Sequence, residues 1–169
     1  MKKNLVLLGM MGVGKTTIGK ILYKKLKLEF IDTDEHIEKE NSMSVSEIFE
    51  KKGENFFRTV ERNLIPELLK KDGCVFALGG GAFMDNAIRE HILKNCISIW
   101  LDIDIKILIG RTSINKNRPL LINKDVSEKL KKIYYERKNT YALANHKINC
   151  DKLNKNDIVE KISKLYEKN

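Results

Sequence analysis

The chain has 169 residues, is 42% hydrophobic and 33% charged, and carries a formal net charge of +9. That size suits a single domain, and the composition excludes fibrous, disordered and disulfide-stapled chains. No apolar run approaches the roughly 20 residues needed to span a bilayer, so the expectation is a cytoplasmic protein.

The first predicted strand is Leu5–Leu8. With Met1, Lys2 and Lys3 it briefly looks like a signal peptide, but the apolar stretch stops at Gly9. There the chain reads Gly9-Met10-Met11-Gly12-Val13-Gly14-Lys15-Thr16, which fits the P-loop pattern of Gly, four residues and Gly-Lys-[Ser/Thr]. Lys15–Leu26 follows with helical spacing, which supplies the strand, loop and helix start that the motif requires. The glycines let backbone N–H groups curl around phosphate oxygens, and the helix N-terminus adds partial positive charge. Lys15 is expected on the outer phosphates and the Thr16 hydroxyl on Mg²⁺.

The second strand, Leu28–Ile31, leads into Asp32-Thr33-Asp34 and a helix over Asp34–Asn41. Two carboxylates on an extended segment diverge, so one can serve a metal and the other a substrate hydroxyl. Asp34 also fits the N-cap of the helix. Ser42–Gly53 is poor in regular pattern, although Ser44 with Glu47 makes a capping box for a short helix over Val45–Lys51. A longer helix, Asn55–Lys71, carries Arg58 near its start and Pro66 two turns on, where a local bend is expected. The third strand, Cys74–Leu78, does not end in an acid. It ends in Gly79-Gly80-Gly81, a backbone N–H surface suited to a close-lying substrate. The second metal carboxylate is therefore expected at Asp32.

A helix over Asn86–Lys94 and a fourth strand, Ile97–Leu101, come next, then a helix over Ile105–Arg111. The segment 112–124 lacks regular pattern and carries Arg118-Pro119, which makes it a candidate mobile lid. A helix over Val126–Ala144 carrying Arg137, a fifth strand Lys147–Cys150 and a helix over Asp157–Tyr166 complete the chain. Strands alternating with helices imply an α/β fold, a mostly parallel sheet covered on both faces. Ligands then lie at the strand carboxyl ends, here Gly9, Asp32, Gly79, Asp102 and Asp151.

Of 32 basic residues, only six are arginine, and the lysines are spread over helix surfaces without a compact block. Solvated faces and a field attracting anionic substrates are expected from this, and no nucleic-acid partner. Cys74, Cys96 and Cys150 have no metal or redox spacing and read as small buried hydrophobes. His36, His91 and His146 are scattered and are assigned no metal. Against that background Arg58, Arg118 and Arg137 stand out. A guanidinium is a two-pronged donor for carboxylate or phosphate, and together the three look like a clamp on an anionic acceptor.

The P-loop, Asp32-Thr-Asp34, Gly53-Glu-x-x-Phe57-Arg58-x-x-Glu61, Gly79-Gly-Gly81, Arg118-Pro-Leu-Leu and Arg137-x-x-x-Tyr141, in this order, resemble shikimate kinase. The resemblance implies a single three-layer αβα kinase domain over residues 1–169, with a five-stranded parallel sheet in the order 2-3-1-4-5. It implies ATP-dependent phosphorylation of the 3-hydroxyl of shikimate, a step towards aromatic amino acids. ATP would be held by Gly12, Val13, Gly14, Lys15, Thr16 and Thr17, with Arg111 stacked on adenine and Arg118 swinging from the lid onto the transferring phosphate. Shikimate would lie in a segment of about 33–61, against Asp34, Arg58, Arg137 and the Gly79, Gly80 and Gly81 backbone. Thr16 and Asp32 would serve Mg²⁺, and Lys15, Asp34 and Arg118 would carry catalysis. Residues Asp151–Asn154 match the adenine-covering loop poorly, and no long apolar edge demands a partner, so a monomer is expected.

Other classes are weighed on the same residues. A nucleoside-monophosphate kinase would not need the Asp32-x-Asp34 pair. A gluconate-type kinase is separated only by the later motifs. A GTPase would require Asn-Lys-x-Asp, where this chain has Asn123-Lys124-Asp125-Val126. A nucleic-acid-binding module would be retained on DNA in a salt-dependent way, without ATP turnover.

Overall fold

The computed structural model describes residues 2–114 and 124–168. Five strands form one parallel sheet: β1 (Asn4–Leu8), β2 (Glu29–Asp32), β3 (Cys74–Ala77), β4 (Cys96–Asp102) and β5 (His146–Asn149). Their order is β2-β3-β1-β4-β5, as expected from the resemblance. β1 lies between β3 and β4, with Leu5 opposite both Val75 and Ile97. Every residue of β1, β3 and β4 is buried, and these strands are mostly apolar, with Asn4, Ser98 and Asp102 as buried polar exceptions. The edge strands β2 and β5 are only partly covered.

Helices α1 (Lys15–Leu26), α2 (Thr33–Asn41), α3 (Val45–Leu68), α4 (Asn86–Asn95), α5 (Ile105–Ile114), α6 (Lys124–Tyr141) and α7 (Lys155–Tyr166) lie on both sides of the sheet. α1 packs on α7 and against β1, β2 and β3, and α4 lies on β4 and α3. Among the described residues no helix is long and apolar enough to cross a membrane. The connection from β1 turns towards β2 and β3, whereas β4 and β5 lie on the other side. The end of β1 is therefore the topological switch point, where a crevice opens in sheets of this kind. At the opposite end Asn4 joins three segments. Its amide donates to the carbonyls of Leu69 and Lys71 at 3.2 and 2.5 Å, and its oxygen accepts from Cys74 N at 2.9 Å.

Several expectations need correction. Ser42–Gly53 is not irregular: helix α3 begins at Val45, started by the Ser44–Glu47 capping box, which is present in full. The two helices expected on either side of Gly53 are both present, and α3 joins them across a kink. Gly53 alone departs from helical dihedrals, with φ 81° and ψ 167°. The chain turns there and not at Pro66, which sits in the last turn of α3 with helical neighbours. The N-cap of α2 is Asp32 and not Asp34. Asp32 accepts from the N–H groups of Asp34 and Glu35 at 3.1 and 3.4 Å. A short 3₁₀ turn, Ala82–Met84, follows the glycine triplet and has no periodicity long enough to signal it.

The hydrophobic interior divides in two. The main core surrounds the sheet, and a second cluster of Ile37, Ile48 and Phe57 lies between α2 and α3. The kink at Gly53 lets the first half of α3 fold over this cluster while the second half packs on α4. The Gly53 dihedrals lie in a region essentially closed to other residues, so Gly53→Ala should cost about 1–3 kcal/mol. Chemical denaturation would read this as a lower midpoint, and an unchanged midpoint would show that the kink is dispensable.

Candidate active site

The P-loop opens α1 without a side-chain cap. Its N-cap, Gly14, is left-handed at φ 104°, and no acidic residue occupies the first turn. The first N–H groups of the helix thus stay available, and the positive end of its dipole is uncompensated. This is an anion site built from backbone alone. The Lys15 ammonium folds back over the loop and donates to the Gly9 and Met10 carbonyls at 2.8 and 3.0 Å. Beside the loop lies a cavity of about 690 Å³. Gly12, Val13, Gly14 and Thr17 line one wall, Arg111 of α5 another, and Leu153 to Asn156 at the start of α7 a third.

Asp32, at the carboxyl end of β2, reaches the same loop, with Thr16 Oγ1 donating to Asp32 Oδ2 at 2.6 Å. Its other oxygen caps α2, so one carboxylate both starts a helix and faces the P-loop. Two hard oxygens here suit a small divalent cation. No group of three acidic, His or Cys residues that could hold a metal exists among the described residues, so bound phosphate and water would have to complete its shell.

On the other side of the glycine loop is a second cavity of about 300 Å³, lined by Arg58, Glu61 and Arg62 of α3, by Gly81, Met84 and Asp85, and by Arg137 of α6. Here the triplet accommodates charged groups that approach from three elements. A Cβ at Gly79 would lie 2.6 Å from Asp34 Oδ1 and 3.1 Å from Glu61 Oε1, and one at Gly81 would overlap the Arg58 guanidinium. A Cβ at Gly80 would lie 3.5 Å from both Arg137 Nη1 and the Gly9 carbonyl. Gly80 therefore connects the acceptor cavity to the P-loop. Thr33 Oγ1 fixes the start of the triplet by accepting from Gly79 N at 2.9 Å. Arg62 donates from Nε to Asp85, the N-cap of α4, at 2.8 Å and frames the cavity mouth.

Glu61 is the residue that sequence reasoning missed as part of this site. It is buried on α3, and its Oε2 accepts from Arg58 Nη1 at 2.7 Å. Its spacing of three from Arg58, on one helix face, was the available signal. Asp34 Oδ1 and Glu61 Oε1 are the two buried side-chain oxygens without a hydrogen-bond partner among the described residues. Burial lifts both carboxyls above their ordinary range. Asp32 adds to the effect at Asp34, while Lys15 and Arg58 oppose it there, and Arg58 opposes it at Glu61. Asp34, Arg58, Arg137, the triplet and the P-loop thus meet at one place, whereas Arg118 lies outside the described residues, as does most of the expected lid. The three cysteines are buried and free, and burial pushes Cys96 and Cys150 up to about 11. They are inert as nucleophiles.

Comparison with known proteins agrees with this geometry. The shikimate kinase family model matches residues 11–167. The chain belongs to the shikimate kinase family. It is 42% identical over 160 residues to a shikimate kinase of Sulfurihydrogenibium sp., covering 95% of both chains. It is 40% identical over 163 residues to the shikimate kinase of Bacillus subtilis, covering 95% of this chain and 87% of that one. A solved shikimate kinase from Acinetobacter baumannii in complex with shikimate superposes with a TM-score of 0.89 at 35% identity, over 98% of this chain and 93% of that chain. A gluconokinase from Sinorhizobium meliloti reaches a TM-score of 0.62 at 12% identity, a likeness of fold alone.

The raised Glu61 carboxyl gives a pH signature. A carboxyl whose folded value lies above its unfolded one binds extra protons in the native state, so its contribution falls as pH rises through that interval. Glu61→Gln removes the term. Stability measured between about pH 5 and 8 should decline more with pH in the unmodified protein than in the variant. Parallel curves would show that Glu61 is not held rich in protons.

Proposed function

We propose that this member of the shikimate kinase family transfers the γ-phosphoryl group of ATP to the 3-hydroxyl of shikimate, giving shikimate 3-phosphate and ADP. One observation carries the assignment of roles. An arginine pair and a buried carboxylate with an unpaired oxygen share a glycine loop whose middle residue faces the P-loop. Phosphoryl transfer requires in-line placement and compensation of charge on the equatorial oxygens, and little covalent help.

The P-loop amides and Lys15 would hold the β- and γ-phosphates, which requires Lys15 to exchange the Gly9 and Met10 carbonyls for phosphate oxygens. Thr16 and Asp32 are suited by chemistry and proximity to hold Mg²⁺, which when bound would neutralise phosphate charge. Arg111 and the Leu153–Asn156 wall would enclose the base. Arg58 and Arg137 would hold the shikimate carboxylate, with Gly79, Gly80 and Gly81 allowing the ring to lie against bare backbone. Asp34 would accept a hydrogen bond from the attacking hydroxyl and align it. Its lifted carboxyl makes it a better proton acceptor than an exposed aspartate once ionised. Residues 33–61 form the acceptor-binding segment and 112–124 the lid, with Arg118 supplying positive charge to the phosphoryl group in flight.

ADP release against a panel of hydroxy acids and nucleoside monophosphates tests the reading. Shikimate should stand out alone, and equal turnover of gluconate or a nucleoside monophosphate would overturn it. Arg118→Ala should lower kcat on the order of 10³-fold while changing the shikimate KM little. A raised KM with kcat preserved would move Arg118 from transfer to binding.

A further inference from the structure

Helix α6 ends on a residue that the roles above do not use. Tyr141 lies one turn beyond Arg137, so both project from one face of the helix. Its side chain is 1% exposed, and its ring lies 5.9 Å from that of Trp100 in β4, tilted by 30°. Its hydroxyl donates to the Gly80 carbonyl. Tyr141 thus holds the Gly80 carbonyl, and Arg137 Nη1 lies on the side of Gly80 where a Cβ would point, 3.5 Å from that position.

The consequence follows from the trans peptide, in which the carbonyl of one residue and the N–H of the next point in opposite directions. No peptide bond in the described chain is cis. A Gly80 carbonyl drawn towards α6 turns the Gly81 N–H away from it. Gly81 lines the acceptor cavity, with the Arg58 guanidinium against its α-carbon. Unsubstituted glycine peptides rotate readily, so this plane needs an external hold to present a fixed donor. We propose that Tyr141 is a positioning residue for acceptor binding, whose hydroxyl sets the Gly80–Gly81 peptide so that the Gly81 N–H is presented to the acceptor beside Arg58. Burial raises the Tyr141 hydroxyl above its ordinary value, so it stays a neutral donor at working pH.

The inference rests on the shikimate kinase reading, and the experiment separates the two. Unmodified protein that turns over shikimate upholds that reading, and lack of turnover would reject it before Tyr141 is tested. Tyr141→Phe keeps the ring and its packing on Trp100 but loses the donor. The shikimate KM should rise about ten-fold, the worth of one hydrogen bond, with kcat and the ATP KM each within about two-fold. Trp100→Phe weakens the ring packing and keeps the hydroxyl. It should lower Tm and leave the shikimate KM within about two-fold. An unchanged KM in Tyr141→Phe, or an equal rise in Trp100→Phe, would overturn the proposal. A reading on unmodified protein stands apart from any folding defect. In ¹H–¹⁵N spectra the Gly81 amide should shift on titration with shikimate, and a stationary Gly81 amide would overturn the proposal.

Discussion

Three glycines after β3 set the geometry of the site. Side chains from α2 and α3 approach Gly79 and Gly81 at distances that a methyl group would forbid, and Arg137 of α6 stands beside Gly80. Asp34 and Glu61 crowd Gly79, Arg137 stands over Gly80, and Arg58 lies on Gly81. A Cβ at Gly80 would lie 3.5 Å from the Gly9 carbonyl and 3.7 Å from Met11 N, so Gly80 faces the P-loop. Under the proposed roles, the nucleotide and acceptor sites lie on either side of this backbone, which suits direct transfer between them.

This closeness has an electrostatic cost. Asp34 and Glu61 each keep one buried oxygen unbonded within the described chain, at about 1–3 kcal/mol apiece. Fully burying one leucine or isoleucine contributes about 1.5–3 kcal/mol, and the sheet core holds many. The fold can thus keep a few charged groups in unfavourable surroundings, which is where reactive carboxylates gain altered proton affinity. Arg58 illustrates the compromise. It is held by Glu61 at 2.7 Å and Glu54 at 3.2 Å, so its two-pronged face is oriented before any ligand arrives.

Much of this was legible in the residues, because the strongest signals were local. Buried parallel strands are short, mostly apolar runs, and all five were placed within about a residue of where they lie. The P-loop and the glycine triplet are likewise contiguous in the chain. The less legible features involve competition between neighbours or distant partners. Asp34 fits a helix cap by sequence, but α2 starts one residue earlier, at Thr33, so the extended Asp32 is its cap while its other oxygen accepts from Thr16 of α1. The break in α3 was sought at Pro66 as well as before Asn55. Pro66 forgoes one backbone hydrogen bond yet keeps helical dihedrals, whereas Gly53 adopts dihedrals that no side chain tolerates well. Glu61 enters the sequence reading only as part of the motif around Arg58, with no role of its own. Only the packing of α3 over the triplet makes it a buried partner of Arg58.

The sheet ends, beyond β4, in a strand of four residues with Lys147 in its middle. The Lys147 ammonium binds Asp102 at 2.8 Å and sits 4.4 Å from the centre of the Trp100 ring. A short rim guarded by a cation is a poor template for a foreign β-strand. Charge repulsion between copies, at a net +9, acts in the same sense. Resistance to clumping in a crowded solution is thus built into the last strand, at the far side of the sheet from the acceptor arm.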